Sequence, residues 1–591
     1  MDDDILEDAV TTAPAGKIRT LLRNLFRRPG GVTDEVLQAD VDSLEALYRL
    51  RGFAEVEIGT PLVTAAGEGD LEVVFPIVQE GPQTLVSQVS IIGNDKYSTN
   101  RLPSLRLKPD EPLNPQRLYQ DVIALRTFYG EQGHVEAQVT NEIAYNEDRT
   151  RAAVTFTIVE GPEVTVGEVT VAGNDYTRSS VVDKQANLET GEPFNYRSLL
   201  AAQRELYRLG IFERVELIPN DDASGGSVRD ITIDVTEGRA LTLGGSVGFS
   251  DSQGLGGSAS ISHRNLFGTA RFLGLEARYF EREERYLLTY REPFVFEWDI
   301  PVQLTHFRSR EEKPDDGTLF ERVGTFVEAS RIVGESLRWS LRYEYRTVDC
   351  VDLVARPGED RCENPDARLD EREVEVSSIS PTVFWDHRND QINPTRGSFV
   401  SSSLEYAFPL FAANPEFLKS FSQGAWYHPL GSRSVLAAGA RLGVIHPLTT
   451  DPVGSFVPFP ERFTGGGESS HRGFDFDRLG VLCDDGDVDC TPTLTEIDGK
   501  VYPLGGNAVV LAGIEYRFPI FGSLQGAAFV DAGNVWAHIE DIDFDQMRYG
   551  AGTGLRYITP LGPLRFDIGW NLDRQPHEDP YLTFLTIGFS Y

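Results

Sequence analysis

The sequence lacks a long hydrophobic run, a surplus of positive charge and more than a few cysteines, and each shortage narrows what the chain can be. No stretch approaches the roughly 18 to 20 consecutive apolar residues of a membrane-spanning helix, so a helical membrane protein is excluded. A membrane β-barrel is not, because its strands alternate and disappear in averaged hydropathy. Basic residues number 55 against 91 acidic ones, a formal net charge of −36. That balance argues against a protein that coats nucleic-acid phosphates, and no nucleic-acid partner is expected. The four cysteines form two close pairs, Cys350 with Cys362 and Cys483 with Cys490. Neither pair has partner histidines at zinc-ligand spacing, so two local disulfides in an oxidising compartment fit better than free thiols. The nine histidines are scattered, and neither a metal site nor a cofactor is expected. A secretion signal is also missing from this chain. Met1 is followed by Asp2, Asp3 and Asp4 in place of a basic segment, and no apolar segment follows, so an extracytoplasmic protein would have had its leader removed or would carry it upstream.

What the sequence does contain is enough apolar material to fold, 40% hydrophobic against 25% charged residues, over a length that one core does not organise. Glycine, at 56 copies, and aromatics, at 10%, suit strands and tight turns. The first 238 residues repeat with a period of about 80 residues. Glu80-Gly81-Pro82 recurs as Glu160-Gly161-Pro162, with a third Glu237-Gly238. Gly93-Asn94-Asp95 recurs as Gly173-Asn174-Asp175. Tyr48 with Gly52, Tyr129 with Gly133 and Tyr207 with Gly210 each mark a helix end, glycine supplying the stop. Each unit reads strand, helix, helix, strand, strand, which predicts modules at 1–82, 83–162 and 163–238. The first strand of module one is degenerate or truncated. Ile18 to Phe26 is amphipathic and occupies the position of that module's first helix. Tandem sheets of this kind expose edges that can take up extended segments by strand addition.

Beyond Arg239 helical periodicity stops. Fourteen alternating segments are clear, from Leu241–Phe249 to Tyr581–Tyr591. In the last of these Leu585, Ile587, Phe589 and Tyr591 share one face while Thr586, Gly588 and Ser590 share the other, as a lipid-facing barrel strand requires. Residues 239–591 number 353, and at roughly 22 residues per strand with its connector they predict about 16 strands. Connectors differ in length: the acidic, cysteine-bearing ones are long, and Arg291-Glu292-Pro293 reads as a short link. The fold class is therefore tandem α+β modules followed by an all-β, 16-stranded antiparallel transmembrane barrel.

A set of ordered motifs accompanies this plan: Asn265-Leu266-Phe267-Gly268, Glu292-Pro293-Phe294, Asp386 and Arg388 before Pro394-Thr395-Arg396-Gly397, Arg472-Gly473-Phe474, Phe529-Val530-Asp531-Ala532-Gly533 and Gly562-Pro563-Leu564-Arg565. Together with the modules they resemble the BamA/TamA outer-membrane insertase superfamily, whose modules are POTRA domains, over nearly the whole chain. The resemblance implies that Arg472, Gly473 and Phe474 tip a long loop, around 461–480, that folds into the barrel lumen. It implies that Asp531 is the wall carboxylate facing Arg472, with Glu515 as a second partner. It also implies a β-signal at the chain end, where Tyr591 stands in place of the commoner Phe. Opposite that end the first strand carries Gly244, Gly245 and Gly248, and interior glycines weaken a strand by about 0.5–1 kcal/mol each relative to Ala. A lateral gate between first and last strands is expected, with Gly248 lying near Thr583.

The expected function is an assembly factor whose periplasmic modules receive unfolded outer-membrane proteins and whose seam inserts them without ATP. Its partners would be the outer-membrane bilayer, the unfolded clients, and accessory lipoproteins or an inner-membrane protein docked on the modules. The competing expectation is a two-partner-type pore that exports an exoprotein through the lumen. Such pores usually carry two modules, so a count of three favours assembly. No enzyme is expected. Gly244-Gly245-Ser246-Val247-Gly248 satisfies a nucleophile-elbow pattern but lies within an alternating strand with no helix after it. Asp484-Asp485-Gly486-Asp487-Val488-Asp489 lacks the distal Glu of an EF-hand and reads as a solvated acidic loop.

Overall fold

The structure, a computed structural model, describes Leu6, Val10 and residues 33–591 apart from 68–69, 221–225, 296–299, 314–317, 335, 353–372, 414, 432–433, 449–456, 484–489, 498, 560–561 and 588–591. It divides into two compact units, largely the residues up to Glu237 and those from Gly238.

In the first unit, α1 (Asp34–Leu50) begins where Thr33 Oγ1 accepts the Val36 N–H at 3.4 Å, with Asp34 and Glu35 at the positive end of the helix. Its buried face is Leu37, Val41, Leu44 and Tyr48. Two short antiparallel pairs follow, Glu57–Ile58 with Ile77–Gln79 and Leu62–Gly67 with Asp70–Val74. The stretch Ile18 to Phe26 lies outside the described residues.

The second segment runs from strand Leu85–Ile92 through α2 (Pro115–Glu131) to strands Gln138–Tyr145 and Arg151–Val159. Where a first helix is expected, only a three-residue 3-10 turn, Thr99–Arg101, forms. Pro103, Pro109 and Pro112 follow it closely, and each would remove a helical hydrogen bond. The third segment has both helices, α3 (Ser179–Ala186) and α4 (Tyr196–Arg208), between strands Thr165–Ala172, Phe212–Asn220 and Val228–Glu237. In both segments the last strand is central, parallel to the first and antiparallel to the second. Phe156, Leu125 and Tyr129 fill one core, and Ile231, Ile233 and Leu206 the other, all fully buried. The repeated helix-end glycines have a structural purpose. Gly133 (φ +90°) accepts the Val164 N–H at 2.9 Å, and Gly52 (φ +89°) accepts that of Thr84 at 2.9 Å, so each segment is pinned to the next through the same backbone bond. A Cβ on Gly133 would meet the Val164 carbonyl oxygen at 2.8 Å.

The second unit is a closed barrel of sixteen antiparallel strands in chain order. They are β1 (Leu241–Ser250), β2 (Gly254–Leu266), β3 (Arg271–Phe280), β4 (Glu283–Glu292), β5 (Val302–Glu312), β6 (Thr318–Val333), β7 (Leu337–Asp352), β8 (Glu373–Asp386), β9 (Gly397–Ala407), β10 (Phe417–Leu430), β11 (Ser434–Pro447), β12 (Ala508–Phe521), β13 (Leu524–Trp536), β14 (Arg548–Thr559), β15 (Gly562–Asn571) and β16 (Tyr581–Ile587). Alternation alone did not disclose β6 and β10. On β6 the phase is masked by charges that find partners across the lumen face, such as Arg322 with Glu311 at 2.9 Å and Glu328 with Arg342 at 2.7 Å. Of the expected short link Arg291-Glu292-Pro293, Arg291 and Glu292 end β4, and the connector runs over 293–301. Along the strands apolar side chains point out and polar ones in. On β12, Ile514 and Tyr516 are exposed while Glu515 faces inward, and on β13 Val530 is exposed while Phe529 and Asp531 are buried. No helix among the described residues is long and apolar enough to cross a membrane.

Candidate functional site: the lumen loop and the barrel seam

Of the connector between β11 and β12, the described segment 457–483 packs against the inner wall of the barrel. This segment carries a 3-10 turn at Phe459–Glu461 and the Arg472-Gly473-Phe474 tip. Phe463, Phe474 and Leu479 join Val509, Leu511 and Val535 of β12 and β13 in one apolar cluster. That cluster desolvates the tip.

Arg472 is held as a fork. Its Nε and Nη2 each donate to Asp531 at 2.8 Å, its backbone N–H donates to the same carboxylate at 3.1 Å, and Nη1 donates to Glu515 at 2.6 Å. The guanidinium lies 3.4 Å over the centre of the Phe529 ring. Asp531 is 3% exposed and Arg472 7%, so neither charge has water as a substitute partner. The wall continues the network: Arg517 and Arg556 donate to Glu515 at 2.8 and 3.1 Å, Arg556 also donates to Asp567, and Arg565 donates to Asp567 at 2.6 Å. Gly473 packs against the Cα of Gly550, and Phe474 stacks under Arg548 at 4.7 Å. A lumen cavity of about 400 Å³ opens beside this cluster.

A second anchor holds the other end of the loop. Glu461 accepts from Arg346 of β7 at 2.8 Å, and Lys419 of β10 donates to its carbonyl at 2.8 Å. Arg346 also donates to Glu405 of β9 at 3.0 Å.

The structure thus brings together Arg472, Asp531 and Glu515, as the motifs imply, and adds Arg517, Arg556, Arg565, Asp567, Glu461 and Arg346. A signal for these existed: charged residues at the inward phase of alternating strands, two apart as in Glu515 and Arg517 or Arg565 and Asp567.

Gly244, Gly245 and Gly248 lie on β1, which pairs with β2 at ten positions but, among the described residues, with β16 at two, Phe249 with Ile587 and Ser250 with Thr586. Thr583 lies on β16, where it pairs with Ile568 of β15. Leu585 sits on β16, and Gly588, Phe589 and Tyr591 lie outside the described residues. Ser246 belongs to the continuous strand β1, with no helix next to it. Cys483 and Cys490 form a disulfide, and Cys350 is oxidised too. Cys362 and the acidic run Asp484 to Asp489 lie outside the described residues. Among the described residues no group of His, Cys, Asp or Glu side chains is placed to hold a metal ion.

The family model for the Omp85 superfamily domain matches residues 265–590, more than half of the chain. The chain belongs to the Omp85 superfamily. The POTRA model, a surface antigen variable number repeat, matches 84–161 and 164–238. Among curated relatives, the outer membrane protein assembly factor BamA of Nitratidesulfovibrio vulgaris is 25% identical over 564 residues, covering 93% of this chain and 67% of the relative. BamA of Neisseria meningitidis serogroup B is 21% identical over 619 residues, covering 95% and 75%. Among solved structures, BamA from Haemophilus ducreyi lacking POTRA domains 1–3 superposes with a TM-score of 0.61 at 20% identity, over 82% of this chain and 94% of that one. CdiB from Escherichia coli shares the fold with a TM-score of 0.50 at 16% identity, over 96% and 97%. This Omp85 chain therefore combines tandem POTRA domains with an outer-membrane-type β-barrel.

Proposed function

We propose that this Omp85 protein is an outer-membrane protein assembly factor, with modules at 1–82, 83–162 and 163–238 in the periplasm and the barrel of 239–591 in the bilayer. The modules offer sheet-edge strands, such as Gln138–Tyr145, to unfolded clients, and they carry any accessory lipoprotein or inner-membrane partner. The barrel inserts clients through a lateral gate between β1 and β16, driven by strand pairing and apolar burial without ATP. The observation that supports this most is the make-up of the seam: β1, which meets β16 at Phe249–Ile587 and Ser250–Thr586, carries Gly244, Gly245 and Gly248, and interior glycines weaken a strand. An edge strand released from its partner is a template for another.

Depletion of the protein followed by a census of outer-membrane proteins tests the reading. Loss of many barrel proteins is expected, whereas loss of a single exoprotein would establish the secretion pore instead. For the gate, cysteines at Phe249 and Ile587 should stop client insertion under oxidising conditions and release it on reduction. Full activity of the oxidised form would remove the gate.

A further inference from the structure

We infer that Glu468, on the lumen loop, is a clasp across the barrel seam, so that the loop holding Arg472 on the wall also sets when the two edge strands part. This rests on the seam being the insertion route proposed above.

The carboxylate of Glu468 bridges the two edges. Oε1 accepts from Ser252 Oγ at 3.0 Å, in the turn that follows β1, and Oε2 accepts from Thr586 Oγ1 at 2.8 Å, on β16. Glu468 is 7% exposed and Thr586 6%. Shielded from water, the two hydroxyl bonds have no solvent substitute and are lost if the edges part. Two further contacts close the same end of the seam. Asp251 accepts the Leu585 N–H, a ladder donor left over because β1 ends at Ser250. Phe476 of the loop meets Phe584 of β16 edge to face, with ring centres 5.6 Å apart. These side chains join β1 to β16 beside the register pairs Phe249–Ile587 and Ser250–Thr586.

The clasp is wired to the Arg472 anchor. Arg565 donates to the Glu468 carbonyl at 3.1 Å and to Asp567 at 2.6 Å, and Asp567 lies 3.9 Å from Arg472 Nη1. Four residues of chain separate Glu468 from Arg472, so the loop cannot lift from the wall at one without disturbing the other. Glu468 is thus a positioning residue: it need not touch a client, and it governs whether the β1 edge is free to meet one. A client strand seeking β1 would have to displace the clasp, or arrive after the loop has moved.

The test uses the full chain in vesicles of phosphatidylethanolamine and phosphatidylglycerol, with spin labels at Leu255→Cys and Tyr581→Cys, both exposed and on opposite sides of the seam. Pulsed electron resonance reads the distance between them. Glu468→Ala should raise the separated-edge population about tenfold, equivalent to about 1.4 kcal/mol. Thr586→Val should act in the same direction without altering the loop. Glu468→Gln, which keeps an acceptor oxygen, should fall between wild type and Glu468→Ala, a gradation that mere loss of packing would not produce. If Glu468→Ala fails to fold, Thr586→Val decides. Distributions in Thr586→Val and Glu468→Ala that superimpose on wild type would overturn the clasp and leave the assembly reading intact. A seam that opens in these variants, with client insertion indifferent to the Phe249–Ile587 lock, would uphold the clasp and remove the gate as the insertion route.

Discussion

At the scale of single residues, Arg472 joins Asp531, Glu515 and the Phe529 ring in one buried cluster. Removing one partner from a buried, hydrogen-bonded ion pair costs about 3–5 kcal/mol because the other charge is left without water. Arg472→Ala is therefore expected to free the loop and impair assembly with the barrel still inserted. Proteolytic nicking within 461–480 should rise while the compact gel mobility of the unheated barrel persists. Arg472→Lys keeps the charge but not the fork and should lie between. Wild-type activity in Arg472→Ala would sink the proposed role. Gly569 offers an independent check. A Cβ there would come within 2.0 Å of the Arg472 carbonyl oxygen, so Gly569→Ala should reproduce the nicking pattern with every charge in place. The Arg-Gly-Phe motif and Asp531 were legible in the sequence through family resemblance. The inward charge pairs, such as Arg565 and Asp567, were visible as pairs, but their meeting with Arg472, like the contact of Gly569, follows from the register of β14 and β15 and leaves no local mark.

At the scale of elements, the module repeat was legible because its markers sit at the junctions. Glu160 accepts from Tyr129 Oη at 3.0 Å and from the Lys96 N–H at 3.0 Å, so the repeated Glu-Gly-Pro and Gly-Asn-Asp turns meet. Lys96 Nζ adds a contact to Glu163 at 2.6 Å. Its hydrogen bond holds the Glu163 carboxyl below the ordinary value, and the same bond raises Lys96. A depressed carboxylate contributes fully above its unfolded value and loses the contribution as pH falls through the lowered one. Both side chains are nearly half exposed, so the effect is small and fades with salt. In a carbon-detected titration Glu163 should show a midpoint below that of a free glutamate, returning to the ordinary value in Lys96→Ala. An unchanged midpoint in that variant would exclude the contact. The first helix of the second segment was not foreseeable as a single 3-10 turn from the repeat alone, since the repeat predicts a helix and three nearby prolines oppose it. Strands β6 and β10 escaped because charges interrupt their lumen faces: Arg322 and Glu328 on β6 meet Glu311 and Arg342 of the neighbouring strands, and Lys419 on β10 meets Glu461 of the lumen loop.

At the scale of the whole molecule, the net charge of −36 is not set by the lumen cluster, whose carboxylates Glu515, Asp531 and Asp567 are met by arginines. Nor do the disulfides carry the barrel. Cys483 and Cys490 are seven apart in the β11–β12 connector, and a loop so short contributes no more than about 3 kcal/mol, locally. The double variant Cys483→Ser, Cys490→Ser should keep the compact gel mobility of the folded barrel. Its loss would mean that this connector governs closure. What the sequence determined by itself was everything periodic: module spacing, strand alternation, the approximate strand number and the order of motifs. Those features arise from geometry that repeats within a few residues of chain. Only the tertiary structure decided that residues as distant as Ser252, Glu468, Arg472, Asp531 and Thr586 meet at one side of a closed lumen. Closure is a property of all sixteen registers together, and no single strand encodes it.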